Sequence, residues 1–111
     1  MKEIEFYKLS GGDGVSADFC LTAIGDSMKD ARILDGDIVF ISKRDHVKNG
    51  DIAAVLVDHV PILKRFFYYE KYGMVILKSE NTKYPDIIYH GDQLTGLEIL
   101  GKAVAFQSCI K

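Results

Sequence analysis

The stretch Phe19-Cys20-Leu21-Thr22-Ala23-Ile24-Gly25-Asp26-Ser27-Met28 reads as an apolar strand running into a turn. Six residues alternate as a half-buried strand does, and Gly25 then breaks the run. Ser27 falls on the turn beyond it. A hydroxyl held at a strand end is positioned, but it needs a base before it can react. His46, His59 and His90 are isolated in polar segments and read as surface residues. Lys64 is the better candidate, because it lies inside Ile62-Leu63-Lys64-Arg65-Phe66-Phe67. Apolar neighbours disfavour the ammonium form and lower a lysine's pKa. A neutral lysine can take a proton from serine, and Ser-Lys pairs are a variant of the serine-hydrolase constellation. Blander readings stand beside this one. Ser27 suits a plain turn or helix cap. Lys64 suits an edge strand guarded against aggregation. Alternation puts Ile62, Lys64 and Phe66 on one face and Leu63, Arg65 and Phe67 on the other, so periodicity leaves open which face is buried.

Working outward, the chain is a series of short strands punctuated by turn residues. Candidate strands are Ile4–Leu9, Phe19–Ile24, Ile38–Ser42, Asp51–Val57, Val60–Tyr69, Met74–Lys78 and Ile87–Tyr89, then a long extended stretch from Leu94 to Ile110. Gly36, Asn49-Gly50 and Gly91-Asp92 mark turns, with Gly36 expected at positive φ. Pro61 points to an edge or a bulge, and Gly96 and Gly101 to bends or bulges. One helical turn is expected over Ser27–Ala31, capped by Asp26 or Ser27. No segment carries a sustained helical period. The pattern predicts a mainly β domain of curled sheets, a sandwich or half-open barrel.

The 111 residues suit one domain, and 48% apolar content supports a real core. Net charge is −2, which argues against this segment gripping a phosphate backbone by itself. No apolar run approaches a membrane span, and Lys2, Glu3 and Glu5 interrupt any signal-peptide pattern. Nothing calls for a cofactor. Asp35, Asp37 and Asp51 flank Gly36 and Gly50, which turn chemistry explains better than metal ligation. Cys20 and Cys109 lack metal-ligand spacing; buried free thiols are the preferred reading, with a disulfide as the alternative. The aromatic group Phe66, Phe67, Tyr68, Tyr69 and Tyr72 reads as core and hairpin, with some members free to meet a partner.

Several ordered segments carry a resemblance. Ile24-Gly25-Asp26-Ser27-Met28-Lys29-Asp30, Leu34-Asp35-Gly36-Asp37, Asn49-Gly50-Asp51, Leu63-Lys64-Arg65, Glu80-Asn81-Thr82-Lys83-Tyr84-Pro85 and Gly101-Lys102-Ala103-Val104 are similar to the LexA/UmuD family of self-cleaving repressor and mutagenesis proteins. Ser27 and Lys64 are 37 residues apart, close to that family's dyad spacing. The resemblance implies the fold of the LexA C-terminal domain and a Ser27-Lys64 dyad. It implies backbone N–H groups of Asp26 and Ser27 as the oxyanion hole, and an Asp26 side chain that braces the turn or faces solvent. It also implies serine endopeptidase activity by autoproteolysis, a homodimer formed through the C-terminal strands, and a RecA–single-stranded DNA filament as inducer. A cytoplasmic regulator that touches DNA only through a separate N-terminal domain follows from the same likeness. Residues 1–18 read as an arm or linker remnant, and 19–111 as the peptidase and dimerisation domain.

The chain departs from the pattern at one place. The family cuts an Ala-Gly or Cys-Gly bond upstream of its serine, and neither occurs in the 26 residues before Ser27. Ser10-Gly11 is the nearest imitation. The expectation is therefore a piece of a longer repressor, a cleavage product or a short relative that does not process itself. A non-catalytic dimerisation module and a UmuD-like mutagenesis accessory are the alternatives. A signal-peptidase relative shares the dyad but is disfavoured by the lack of an apolar anchor.

Overall fold

The last strand of the chain lies in the middle of the sheet. In the computed structural model, which describes residues 4–5 and 17–108, eight strands form one antiparallel sheet. They are β1 (Ile4–Glu5), β2 (Phe19–Thr22), β3 (Ile38–Lys43), β4 (Ile52–Val57), β5 (Val60–Tyr69), β6 (Met74–Lys78), β7 (Ile87–His90) and β8 (Leu97–Gln107). Their order is β1-β2-β3-β8-β4-β5-β6-β7. β8 therefore joins two meanders, pairing with β3 through residues 101–107 and with β4 through 97–102. Short 3-10 turns at Lys29–Ala31, Glu70–Tyr72 and Gly91–Gly96 are the helical elements among the described residues.

The mainly β reading is correct, and the sheet curls into a half-barrel. Its curl follows from β8. Leu100 is extra against β4 and Val104 is extra against β3, giving a bulge on each side of Gly101 and its neighbours. Gly101 is required there: a Cβ would sit 2.2 Å from the Ser42 carbonyl oxygen. The bulges thus flank the glycine that the sequence marked.

Curling buries both faces of the central strands. Ala54 and Leu63 join Phe19, Leu21, Met28, Ile33, Val39 and Ile41 in one core. Ala53 and Val55, pointing the other way, join Phe66, Val75 and Leu77 in a second. Each large aliphatic buried this way contributes about 1.5–3 kcal/mol. This also answers the ambiguity of β5: Leu63 enters the first core and Phe66 the second. Tyr68, Tyr69 and Tyr72 are exposed.

Several local expectations need adjusting. β2 stops at Thr22 rather than Ile24, because Ala23 donates to the Asp37 carbonyl and accepts from Gly36 N–H, both in the next turn. The predicted helical turn shrinks to Lys29–Ala31, with Met28 at its N-cap and no side-chain cap from Asp26 or Ser27. The stretch before β8 is a 3-10 turn through Gly96 rather than extended from Leu94. Of the segment Ile4–Leu9, β1 is described and the remainder lies outside the described residues, as does Cys109. Cys20 is buried. Pro61 opens β5 where it pairs with β4 alone, since β6 joins only from Arg65 onward.

Candidate active site

The turn after β2 is shaped by a glycine and two aspartates. Gly25 adopts φ 86°, a left-handed conformation that suits glycine. Its N–H donates to Asp35 Oδ1 at 2.7 Å. Asp37, buried, accepts from Leu34 N–H at 2.8 Å. Asp51 accepts from Lys48 N–H at 2.9 Å and lies 3.6 Å from Lys102 Nζ. All three carboxylates accept from backbone N–H groups in loops and turns. Among the described residues no group of His, Cys, Asp and Glu side chains could hold a metal ion. His46, His59 and His90 are all exposed.

Beyond Gly25 the chain passes the mouth of a cavity of about 180 Å³. Ser27 lines it, and so does Lys64 from β5. Its other walls are mostly apolar, with Ile24, Met28, Ile33 and Ile62 among them. Lys64 is partly buried, and this desolvation holds its amine below the ordinary lysine value of 10.5. The structure thus brings the two residues into one cavity across the 37 positions that separate them. They are not hydrogen-bonded to each other among the described residues. Lys64 Nζ instead donates to Ser79 Oγ at 2.8 Å.

Ser79 begins a segment whose sequence reads simply as a polar loop. Ser79 and Asn81 are both buried. Asn81 Nδ2 donates to the Asp26 carbonyl at 2.9 Å, and Glu80 accepts Asp30 N–H through its carbonyl at 2.8 Å. The Glu80 carboxylate accepts from Arg65 Nε, and Arg65 also reaches the Gly50 carbonyl. The segment after β6 therefore ties β5 to the turn that carries Ser27. The available signal was Glu80-Asn81 falling within the resemblance; polarity alone did not mark it.

The Asp26 side chain braces rather than caps. It accepts from Tyr84 Oη and, at 3.2 Å, from Lys83 Nζ. The Tyr84 hydrogen bond, then Lys83, hold its carboxyl below 3.8. The same contacts raise the pKa values of Lys83 and Tyr84. These groups are solvent-exposed, so the brace is weak and easily screened.

The fold and the cavity define a curled, antiparallel β domain in which a serine and a partly desolvated lysine line one small pocket. The chain belongs to the Peptidase S24-like family, which it matches over residues 5–104, and it is of the LexA/UmuD type. It is 40% identical over 86 residues to the LexA repressor of Clostridium perfringens (strain SM101 / Type A), covering 78% of this chain and 39% of that protein. The LexA repressor of Clostridium novyi (strain NT) is 42% identical over 84 residues, covering 76% and 39%. That of Clostridium botulinum (strain Langeland / NCTC 10281 / Type F) is 41% identical over 86 residues, covering 78% and 39%. The chain thus aligns with 39% of the length of these relatives. No helix among the described residues is long and apolar enough to cross a membrane.

Proposed function

We propose that this chain is the Ser-Lys peptidase domain of a LexA-like transcriptional regulator, with Ser27 as nucleophile and Lys64 as general base. The observation that carries the reading is the shared cavity, in which burial lowers the pKa of the Lys64 amine. Neutral Lys64 removes the Ser27 proton, and the alkoxide attacks a substrate backbone carbonyl. The oxyanion is met by backbone N–H groups of Asp26 and Ser27. Lys64, now ammonium, returns its proton to the departing amine as the C–N bond breaks, leaving an acyl-serine. Water, giving a proton to Lys64, then attacks that ester, and Lys64 returns the proton to the Ser27 oxygen as the C–O bond breaks and the new carboxyl end is released. An extended substrate suits the site, because residues 60–64 of β5 pair with β4 on one side and, among the described residues, with no strand on the other. The hydrogen bond of Lys64 to Ser79 leaves a short reorientation before reaction; catalytic hydrogen bonds commonly tighten only with substrate bound.

The wider role is repression of a stress or phage programme in the cytoplasm. DNA is held by a separate domain, and a RecA filament provokes cleavage. Homodimerisation uses the edge of β8 at residues 103–107, where β3 pairs and β4 does not. Exposed Phe106 lies on that segment.

One observation favours a second reading, a dimerisation module without activity: Lys64 is bonded to Ser79 rather than to Ser27. Mixing the chain with a protein or peptide that carries an Ala-Gly cleavage segment separates the two. Cutting that rises with pH through a midpoint below 10.5, and that disappears in Ser27→Ala, is the expected result. No cutting of any such substrate, across neutral to alkaline pH, overturns the peptidase reading.

A further inference from the structure

The peptide unit between Asp26 and Ser27 has one end fastened and, among the described residues, the other unused. Its carbonyl accepts from Asn81 Nδ2 at 2.9 Å and from Lys29 N–H at 3.3 Å. Asn81 is 5% exposed, and its Oδ1 is itself fixed by Lys83 N–H at 3.1 Å. The side-chain amide is thus immobilised at both ends. The peptide is trans, since the described residues contain no cis bond. In a trans peptide the N–H points opposite to the carbonyl. Fixing the Asp26 carbonyl on Asn81 therefore aims the Ser27 N–H away from Asn81.

That N–H has no acceptor among the described residues. On either side the backbone donors are satisfied: Gly25 by Asp35, Lys29 by the Asp26 carbonyl, Asp30 by the Glu80 carbonyl. From Asp26 to Met28 the N–H groups have no acceptor among the described residues. Backbone donors left unpaired inside an otherwise bonded turn, on a residue that lines a cavity, are what an oxyanion site needs.

We propose that Asn81 is a positioning residue for catalysis: by holding the Asp26 carbonyl it sets the direction of the Ser27 N–H that receives the oxyanion. This rests on the reading of Ser27 as nucleophile. Asn81 touches neither substrate nor reacting atoms. It acts through one peptide plane, and its donation to the carbonyl also polarises that peptide and makes the N–H a stronger donor. A preorganised donor adds most when it needs no reorganisation during reaction, and a buried amide pinned at both ends meets that condition.

The test uses the whole chain cutting an Ala-Gly peptide in trans, comparing wild type, Asn81→Ala, Asn81→Asp and Ser27→Ala. In folded Asn81→Ala, kcat falls about 10²-fold, the scale of losing one oxyanion donor, with KM within about twofold of wild type. The alkaline rise of kcat keeps its midpoint, because Lys64 is untouched. Asn81→Asp keeps the acceptor for Lys83 and loses the donor to Asp26, so it is slowed comparably. Wild-type kcat in Asn81→Ala, a loss confined to KM, or a shifted midpoint overturns the proposal. If Asn81→Ala does not fold, amide resonances of the wild type decide instead. Binding of a peptide aldehyde, which forms a tetrahedral adduct on serine, shifts the Ser27 N–H and the Asn81 side-chain amide together. An adduct that moves neither resonance overturns the proposal. Wild type cutting no faster than Ser27→Ala points to a different failure, that of the nucleophile assignment, and removes the basis of this one with it.

Discussion

Lys64 Nζ donates a 2.8 Å hydrogen bond to Ser79 Oγ, so the amine that shares a cavity with Ser27 is held from the side by a second, buried hydroxyl. Two influences on Lys64 follow from this. Desolvation pushes its pKa down. An oxygen that accepts from the amine favours the ammonium form and works against that push. Ser79→Ala removes the second influence and leaves the first. The expected outcome is a pH–rate profile whose midpoint moves to lower pH. The plateau rate falls about tenfold, a fraction of the ~10²–10⁴ that a positioned base contributes. Ser79→Thr keeps the hydroxyl and restores the midpoint. Profiles of kcat from neutral to alkaline pH check this; a midpoint that stays or rises contradicts it.

The same pair makes a prediction about stability. Because burial lowers the Lys64 pKa, the folded state resists the ammonium form more than the unfolded chain does. The penalty is fully present below the folded-state pKa and fades as pH rises towards 10.5. Replacing only one member leaves a polar partner stranded, whereas replacing both by apolar groups can be neutral or stabilising. Lys64→Met combined with Ser79→Ala is therefore expected to melt no lower than wild type at neutral pH while cutting nothing. Its advantage over wild type shrinks as the pH is raised towards 10.5. Thermal melts across that range measure it, and a double variant clearly less stable at neutral pH sinks the account.

Much of this site is legible in the chain itself. Gly25 breaks a strand just ahead of Ser27, and Lys64 sits in an apolar run; both signals are local, and both residues line the cavity. Less is legible where the cause is non-local. Ser79 and Asn81 look like members of a polar loop, since nothing in their own neighbourhood says that they are buried against β5 and the Ser27 turn. β8 reads as extended, but its place between β3 and β4 is a property of the whole sheet. The link at Asp58-His59 is legible from the strands on either side, but its backbone conformation is not. Both residues adopt positive φ, 49° and 70°, in a two-residue turn that usually advertises itself with glycine or asparagine.

The Asp26 brace gives a titration prediction. Tyr84 and then Lys83 hold the Asp26 carboxyl below 3.8. A carboxylate with a depressed folded-state pKa lends its support above the unfolded value and loses it as pH falls through the folded one. From neutral pH down to 3.8 the brace is thus intact, and it opens only in stronger acid. Carbon-13 detected titration is expected to place Asp26 below 3.8, and Tyr84→Phe to move it back up. Raised salt moves it the same way, because the Lys83 contact is exposed. An Asp26 that titrates identically in wild type and Tyr84→Phe refutes the assignment of cause.

Two glycines separate steric need from conformational need. At Gly101 a Cβ would lie 2.2 Å from the Ser42 carbonyl oxygen and 2.7 Å from Ile41 Cγ2. The nearest of these atoms is backbone, so movement of the Ile41 side chain alone cannot relieve the clash. Gly101 is also paired on both flanks, with Lys43 of β3 and Ala54 of β4, which prevents a local retreat. Gly101→Ala therefore has to part β8 from β3 at the centre of the sheet. Overpacking usually costs about 1–3 kcal/mol, and a clash with fixed backbone belongs at or above the top of that range. Gly50 is the contrast. It has φ 92° and open space where a methyl group would go, so Gly50→Ala meets only backbone strain, about 1–2 kcal/mol. Urea unfolding of both variants gives the ordering: Gly101→Ala loses clearly more stability than Gly50→Ala. It also loses any peptidase activity before Gly50→Ala does, because the β8–β4 pairing supports the strand against which β5 and Lys64 are registered. Equal losses in the two variants would mean that β8 is not clamped between β3 and β4 as described.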